Sequence, residues 1–361
     1  MCNRTKFPGF PESRELLGPE RKERMMTLET FDLLLSQIED SAEFFNINEI
    51  YLHWFGEPLL NPHFFTMLER IIDRNKGGRM TKSISFHTNA LLLDDPVKIA
   101  EITKSLDFPL GISFSLDAST QSTYKRIRRG GNLQKAEENA MQLMLACKDN
   151  PYVKFIVQFI VMEENLTEVN PFIQKWERFF KEQNMGFRVE VNFIPAYLQQ
   201  SHLIYLRQLD GGSRETQAKY NAFHEKFAKK NPPPEKEPIP SGIVFEGVEV
   251  TEKSLLCSIL WDSIAIIWDG SVSIICDQWS SLHLGHIGHF HMLDCYFSKE
   301  NLNSIRKEHL KGHVFSELRD CTNCGIILCE HNGRTTPEEI KQFVAAKSRW
   351  EASGKWLKRM E

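Results

Sequence analysis

Apolar residues recur along the first half of the chain with two alternating periods. Phe31, Leu34, Leu35 and Ile38 share one face of a helix expected over residues 28–42. Glu49-Ile50-Tyr51-Leu52-His53-Trp54 then reads as a strand, and residues 62–75 read as a helix with Phe64, Phe65, Leu68, Ile71 and Ile72 inward. The same alternation predicts strands at 83–88, 110–116, 152–162 and 187–194, separated by helices over 96–106, 133–147 and 166–184. Strands alternating with helices of this length imply βαβ units and a parallel sheet. Periodicity alone leaves a Rossmann sheet and a partial barrel equally open.

The rhythm breaks after that. Gly211-Gly212-Ser213 and Asn231-Pro232-Pro233-Pro234 signal a linker or insertion over 197–250. Beyond it, short strands at 263–268 and 271–276 flank Asp269-Gly270, a hairpin signal, and a last helix is expected over 337–357. The expected division is an α/β body over 1–196, the linker, a cysteine-rich α+β domain over 251–335, and a C-terminal helix over 336–361.

Composition changes this picture little. A chain of 361 residues with 41% hydrophobic and 25% charged positions is ordinary for a globular protein with room for two domains. The net charge of −4 offers no electrostatic reason for a nucleic-acid or anionic-membrane partner. The basic cluster Lys125, Arg126, Arg128 and Arg129 reads as a solvated loop or a small-anion contact. No stretch approaches the roughly 20 apolar residues that span a bilayer. Met1-Cys2-Asn3-Arg4 leads into a polar loop without a signal peptide, so a cytoplasmic location is expected.

The eight cysteines carry more information, because six of them (Cys257, Cys276, Cys295, Cys321, Cys324 and Cys329) crowd the C-terminal third. In a reducing compartment this clustering points to metal rather than crosslinks. Cys321-Thr322-Asn323-Cys324 is a CxxC whose tight turn can aim two thiolates at one ion. With Cys257 and Cys276 it makes a four-thiolate set that suits tetrahedral zinc or a 4Fe–4S cluster, and spacing does not separate the two. Cys329 is a possible fifth ligand. Cys147 and Cys295 read as buried small apolar residues. His283, His286, His289 and His291 read as loop and surface residues rather than a metal site.

Several motifs at the predicted strand ends resemble those of radical S-adenosylmethionine (SAM) enzymes, in the same order. Gly56-Glu57-Pro58 resembles that family's Gly-Gly-Glu, with Phe55 in place of the first glycine. Phe86-His87-Thr88-Asn89-Ala90 is similar to its Thr-Asn-Gly, and Ser115-Leu116-Asp117 with Ile127-Arg128-Arg129-Gly130 to its Ser-Leu-Asp and Ile-Arg-x-Gly segments. Gln158 and Asn165 match more weakly, and Phe193-Ile194-Pro195 ends the next strand. Ligands of parallel α/β folds sit at the carboxyl ends of strands, which is where these residues fall. The resemblance implies a partial (β/α)6 TIM-like barrel that binds SAM through Gly56, Glu57, Thr88, Asn89, Ser115, Asp117, Arg128 and Gln158. Glu57 would meet the methionyl amine.

The C-terminal part resembles the SPASM or twitch extensions of these enzymes. Cys257, Trp261, Asp269-Gly270, Cys276, Leu284-Gly285-His286-Ile287, Arg306 and Cys321-x-x-Cys324 fall in the expected sequence, with His286 replacing a common asparagine. That resemblance implies one auxiliary 4Fe–4S cluster on Cys257, Cys276, Cys321 and Cys324, with Cys329 in reserve. The family's Cys-x3-Cys-x2-Cys is represented only by Cys2, which matches its third cysteine. The chain is therefore expected to lack its first few dozen residues, and as written to be inactive for want of the SAM-binding 4Fe–4S cluster.

The implied activity is an oxidoreductase or modifying enzyme that uses a 5′-deoxyadenosyl radical to abstract hydrogen from a peptide or a sugar-like or aminocyclitol-like metabolite. A reducing partner such as flavodoxin or ferredoxin would feed it. No residue stands out as general base. The competing expectation is a non-catalytic scaffold with a zinc-stapled C-terminal subdomain. An ordinary dinucleotide-binding enzyme ranks last, because no G-x-G-x-x-G follows any predicted strand.

Overall fold

The computed structural model describes residues 25–53, 56–186, 189–193, 242–257, 259–274, 284–313 and 335–355. Cys2, Cys276, Cys321, Cys324, Cys329 and His283 lie outside the described residues. The chain divides into two compact units.

The first unit is built on residues 46–194. Its strands are β1 (Glu49–Tyr51), β2 (Ser83–Thr88), β3 (Leu110–Ser115), β4 (Val153–Val161) and β5 (Val189–Phe193). All neighbouring pairs are parallel, and the order across the sheet is β1-β2-β3-β4-β5. A doubly wound Rossmann sheet reverses its order at a switch point, whereas this sheet never does. With right-handed crossovers, sequential order sends every connecting helix to the same face. Those helices are α2 (Phe64–Arg74), α3 (Pro96–Thr103), α4 (Gln121–Ile127), α5 (Leu133–Ala146) and α6 (Val169–Glu182).

Burial follows the strand period. Along β4, Val153, Phe155, Val157, Phe159 and Val161 are all buried, and Phe159 packs on Phe172 of α6 at 4.7 Å between ring centroids. Phe86 of β2 meets Phe64 of α2 at 5.0 Å. Cys147 is buried as expected, and burial raises its thiol pKa. Helix α4 was not anticipated. Its sequence is too short and polar to show a period, yet Thr120 caps it and Thr123, Tyr124 and Ile127 are buried.

The second unit joins residues 24–45 to residues 227–361. Helix α1 (Leu28–Ser41) belongs here, and its buried Gln37 shows how. The Gln37 amide donates to the Ile287 carbonyl at 2.8 Å and accepts from the Met292 N–H at 2.7 Å. A tight hairpin of β6 (Val244–Phe245) and β7 (Val248–Glu249) ends the stretch read as a linker. Its turn, Glu246-Gly247, has φ of 45° and 82°, as a two-residue hairpin loop requires.

Next come α7 (Ile259–Asp262) and β8 (Ala265–Ile266), β9 (Ser271–Ser273) and β10 (Gly285–His286), a three-stranded sheet in the order β10-β9-β8. The Asp269-Gly270 hairpin forms with shorter strands than expected, and Gly270 has φ 93°. The last elements are α8 (Met292–Ser298), α9 (Glu300–Leu310) and α10 (Pro337–Ala352).

Two histidines of the 283–291 series depart from a plain surface role. Nδ1 of His286 accepts from the Gly288 N–H at 2.9 Å, so Nε2 carries the proton and donates to the Asp269 carbonyl at 2.7 Å. His286 thus ties its own turn to the hairpin. His291 is buried, its ring 4.5 Å from that of Trp350. Cys295 is fully buried, which pushes its thiol up to about 11. Arg306 is also fully buried, among the rings of Trp261, Tyr296 and Phe343. It donates to the carbonyls of Leu260 and Tyr296 and to Asn303 Oδ1, each at 2.8 Å.

Candidate functional site

The strand-end residues singled out in the sequence come together along the carboxyl edge of the first unit's sheet. They form two clusters. At β1 and β2, Gly56 turns the chain with φ 100°, a conformation that favours glycine. Glu57 follows and caps the short 3-10 turn Pro58–Leu60. Its Oε1 accepts from the Thr88 hydroxyl at 2.7 Å, and its Oε2 from the Asn89 N–H at 2.8 Å. A carboxylate oxygen has two lone pairs, so Glu57 is held in place with acceptor capacity to spare. Asn89 spends its side-chain oxygen on the Leu91 N–H at 2.9 Å. Ala90 then takes φ 62° where the resembling motif carries glycine, and Asn139 of α5 clasps its carbonyl at 2.7 Å.

The second cluster lies at β3 and β4. Ser115 and Gln158 stand opposite one another in register, and the serine hydroxyl donates to Gln158 Oε1 at 3.0 Å. Asp117 is fully buried with φ 60°. One carboxylate oxygen accepts from the Ile160 N–H at 2.7 Å, extending the β3–β4 ladder past the last β3 residue. The other accepts from Nη2 of Arg128 at 2.5 Å. Asn165 bonds the Asp117 carbonyl at 2.8 Å and the Ile160 carbonyl at 2.9 Å, while its oxygen takes the Met162 N–H at 2.7 Å. Asp117 therefore positions Arg128, whose side chain keeps 16% exposure.

Sequence reasoning missed two residues here. Glu168 collects the Ser119 and Thr120 N–H groups and the hydroxyls of Thr120 and Thr123, at 2.6–3.2 Å. Burial pushes its pKa up, but those hydrogen bonds outweigh it and the net direction is down. The carboxylate anchors the start of α4, and α4 ends at Arg128. Tyr124 is the other. Its ring lies where a side chain at position 131 would be, with a Cβ on Gly131 falling 2.5 Å from Tyr124 Cε1. The phenol is fully buried and its pKa is raised by burial, opposed by Arg128 and assisted by Asp117, Glu137 and Glu57. Glu168 stands forty-odd residues from its partners, and no local spacing announces it.

Of the predicted metal ligands, only Cys257 is described, and it is buried. Among the described residues, no group of three or more His, Cys, Asp or Glu side chains is placed to hold a metal ion. No described helix is long and apolar enough to cross a membrane.

No protein-family model matches the chain, and no curated protein matches it. Solved structures of anSMEcpe are similar to it. The native protein with bound AdoMet and the Cp18Cys peptide is 16% identical with a TM-score of 0.46, covering 91% of this chain and 90% of that one. The native protein with bound AdoMet gives 16% and 0.44 over the same coverage. A hexahistidine-tagged form with bound AdoMet gives 17% and 0.43.

Proposed function

We propose that the chain is the body of a radical SAM enzyme, with the first unit as a partial (β/α)6 barrel. The cofactor would sit at the carboxyl ends of β1–β4, against Gly56, Glu57, Thr88, Asn89, Ser115, Arg128 and Gln158. The observation that carries this reading is the Glu57 carboxylate, pinned by Thr88 and Asn89 from the neighbouring strand end. A fixed carboxylate with a spare lone pair suits an ammonium group. Arg128, held by Asp117 from behind, suits a carboxylate. An α-amino acid moiety offers both charges, so the donor set fits the methionyl half of SAM. SAM, when bound beside a reduced cluster, supplies a 5′-deoxyadenosyl radical that takes hydrogen from substrate.

The residues here bind and orient; none is assigned to proton transfer. Fixing the amino acid moiety at two points sets the position of the rest of the molecule over the sheet edge, where a small displacement is costly to reaction. The cluster ligands proposed are Cys2 for the SAM-binding cluster and Cys257, Cys276, Cys321 and Cys324 for an auxiliary one, with Cys329 in reserve. The reaction class proposed is oxidation or another modification of a peptide or small metabolite in the cytoplasm, supported by a flavodoxin-like or ferredoxin-like reductant.

The test is calorimetric binding of S-adenosylhomocysteine, which carries the same amino acid moiety. Glu57→Gln keeps an acceptor for Thr88 and loses the charge. A charge-assisted hydrogen bond is worth about 1.5–3 kcal/mol, so affinity should fall about ten- to hundredfold. Equal affinity in the variant rejects the assignment. Anaerobic iron and sulfide reconstitution reads the metal separately: one zinc and no iron would favour the scaffold alternative.

A further inference from the structure

Arg306 of the second unit carries a charge that its surroundings leave unbalanced. The guanidinium is fully buried, and its three hydrogen bonds go to neutral oxygens, the Leu260 and Tyr296 carbonyls and Asn303 Oδ1. Among the described residues no carboxylate pairs with it. Glu246 acts on it from a distance and is already shared between Lys307 and Lys347. The rings of Trp261, Tyr296 and Phe343, at 4.4–5.5 Å, stabilise the cation in part. Arginine keeps its proton inside proteins, and a buried charge is ordinarily matched by an opposite one.

The charge lies close to Cys257. The Leu260 N–H donates to the Cys257 carbonyl at 3.2 Å, and the Leu260 carbonyl accepts from Nε of Arg306 at 2.8 Å. These two bonds and the single residue between them bring Nε within about 10 Å of the Cys257 carbonyl oxygen. Two buried donors in this neighbourhood lack an acceptor among the described residues: Nη2 of Arg306 and Nε1 of Trp261, the latter on the short helix α7 that follows Cys257. An uncompensated cation and orphaned donors near a buried cysteine fit a metal centre bound by thiolates, which carries net negative charge.

We propose that Arg306 supplies the counter-charge for the auxiliary centre that includes Cys257, and that it raises the reduction potential of the 4Fe–4S cluster there. An added electron makes such a cluster more negative, so a fixed cation nearby stabilises the reduced form more than the oxidised one. The effect needs no contact. A unit charge about 10 Å away, at an effective dielectric constant of about 20, shifts a one-electron equilibrium about tenfold or more. Zinc offers no second oxidation state to tune. The inference rests on the reading of Cys257, Cys276, Cys321 and Cys324 as ligands of an auxiliary cluster, and adds to it that the cluster takes up an electron more readily.

The experiment reconstitutes the full chain anaerobically with iron and sulfide. Dithionite and redox mediators then reduce the cluster by one electron, and its EPR signal is followed against solution potential. Arg306→Met keeps the volume and removes the charge. At a fixed potential its ratio of reduced to oxidised cluster should fall about tenfold, a drop of about 59 mV in midpoint. Arg306→Lys keeps the charge and loses the planar fork, so its ratio should stay within about threefold of the parent. Equal midpoints in the parent and Arg306→Met overturn the proposal, as do equal shifts in the two variants. Should Arg306→Met hold no iron, loading of Arg306→Lys decides: full loading supports a need for the charge, and none makes the side chain purely structural and overturns the proposal. A parent chain that binds zinc or no iron, or an EPR signal unchanged in Cys257→Ala, rejects the auxiliary-cluster reading itself and the inference with it. A cluster on Cys257 whose potential ignores Arg306→Met rejects the role of Arg306 alone.

Discussion

At the scale of single residues, buried and half-buried carboxylates hold the strand-end cluster in place. Asp117 gathers donors from two parts of the chain and Glu168 from the single stretch 119–123, and both converge on Arg128, one through its guanidinium and the other through the start of α4. Glu168 makes a sharp prediction because its pKa is depressed when folded. A depressed carboxylate stabilises the fold above its unfolded value of about 4.3, and that contribution disappears as pH falls through the folded value. Glu168→Gln should cost about 1–3 kcal/mol at neutral pH, since it weakens bonds to several donors at once. The gap between parent and variant should narrow as pH falls below the unfolded value of about 4.3 and close once the folded carboxylate has protonated. Denaturant unfolding at several pH values reads it, and a gap independent of pH would rule out the charge. Residues of this kind are hard to see in sequence. Glu57, Ser115 and Gln158 stand out because they sit at strand ends in short motifs, whereas Glu168 lies in an ordinary Thr-Glu-Val stretch and acts across a distance.

Elements were legible wherever hydrophobic period was strong and opaque where one polar residue decided the packing. The five strands and the helices between them other than α4 are the clearest case: alternation such as Val-Lys-Phe-Ile-Val-Gln-Phe-Ile-Val in β4 states both the element and its inward face. Helix α1 is the opposite case. Its period predicts an amphipathic helix but not which core receives it, and nothing about Gln37 marks it as buried. The hairpin β6–β7 was hidden because Glu-Gly is a weaker turn signal than Asn-Gly. The C-terminal four-cysteine set, the largest part of the sequence-level site, lies mostly outside the described residues. Gln37 yields an element-scale prediction. Gln37→Leu keeps the volume but strands the Met292 N–H and the Ile287 carbonyl, at about 1–3 kcal/mol for each buried group left unpaired. Stability should drop accordingly, and exchange of the Met292 amide should accelerate. An unchanged exchange rate would mean that α1 does not hold the start of α8.

At the scale of the whole molecule, the two units share a vulnerability to acid that neither fold class nor the net charge of −4 announces. Each contains a histidine that burial keeps neutral, half-buried His53 in the first and fully buried His309 in the second. Burial lowers both to about 4, with His87 adding to the effect at His53. His309 is fully buried, and neither ring nitrogen has a hydrogen-bond partner among the described residues. For a histidine whose folded pKa is depressed, nothing is lost above the unfolded value of about 6.5. Below it the unfolded chain takes up a proton that the folded chain refuses, so stability falls until pH reaches the folded value. From pH 7.5 to 5 this amounts to about 2 kcal/mol for His309, and less for the partly exposed His53. Hydrogen exchange of the α9 amides isolates the second unit. In the parent chain their protection should fall over that pH interval by more than the intrinsic exchange chemistry accounts for. In His309→Phe, which keeps the site apolar and cannot bind a proton, the excess should vanish. Carboxylates with ordinary pKa values stay largely ionised at pH 5, and Asp262, whose pKa burial raises, is common to parent and variant and cancels in the comparison. Persistence of the full excess in His309→Phe would mean that the acid sensitivity of this unit arises elsewhere than at the buried imidazole.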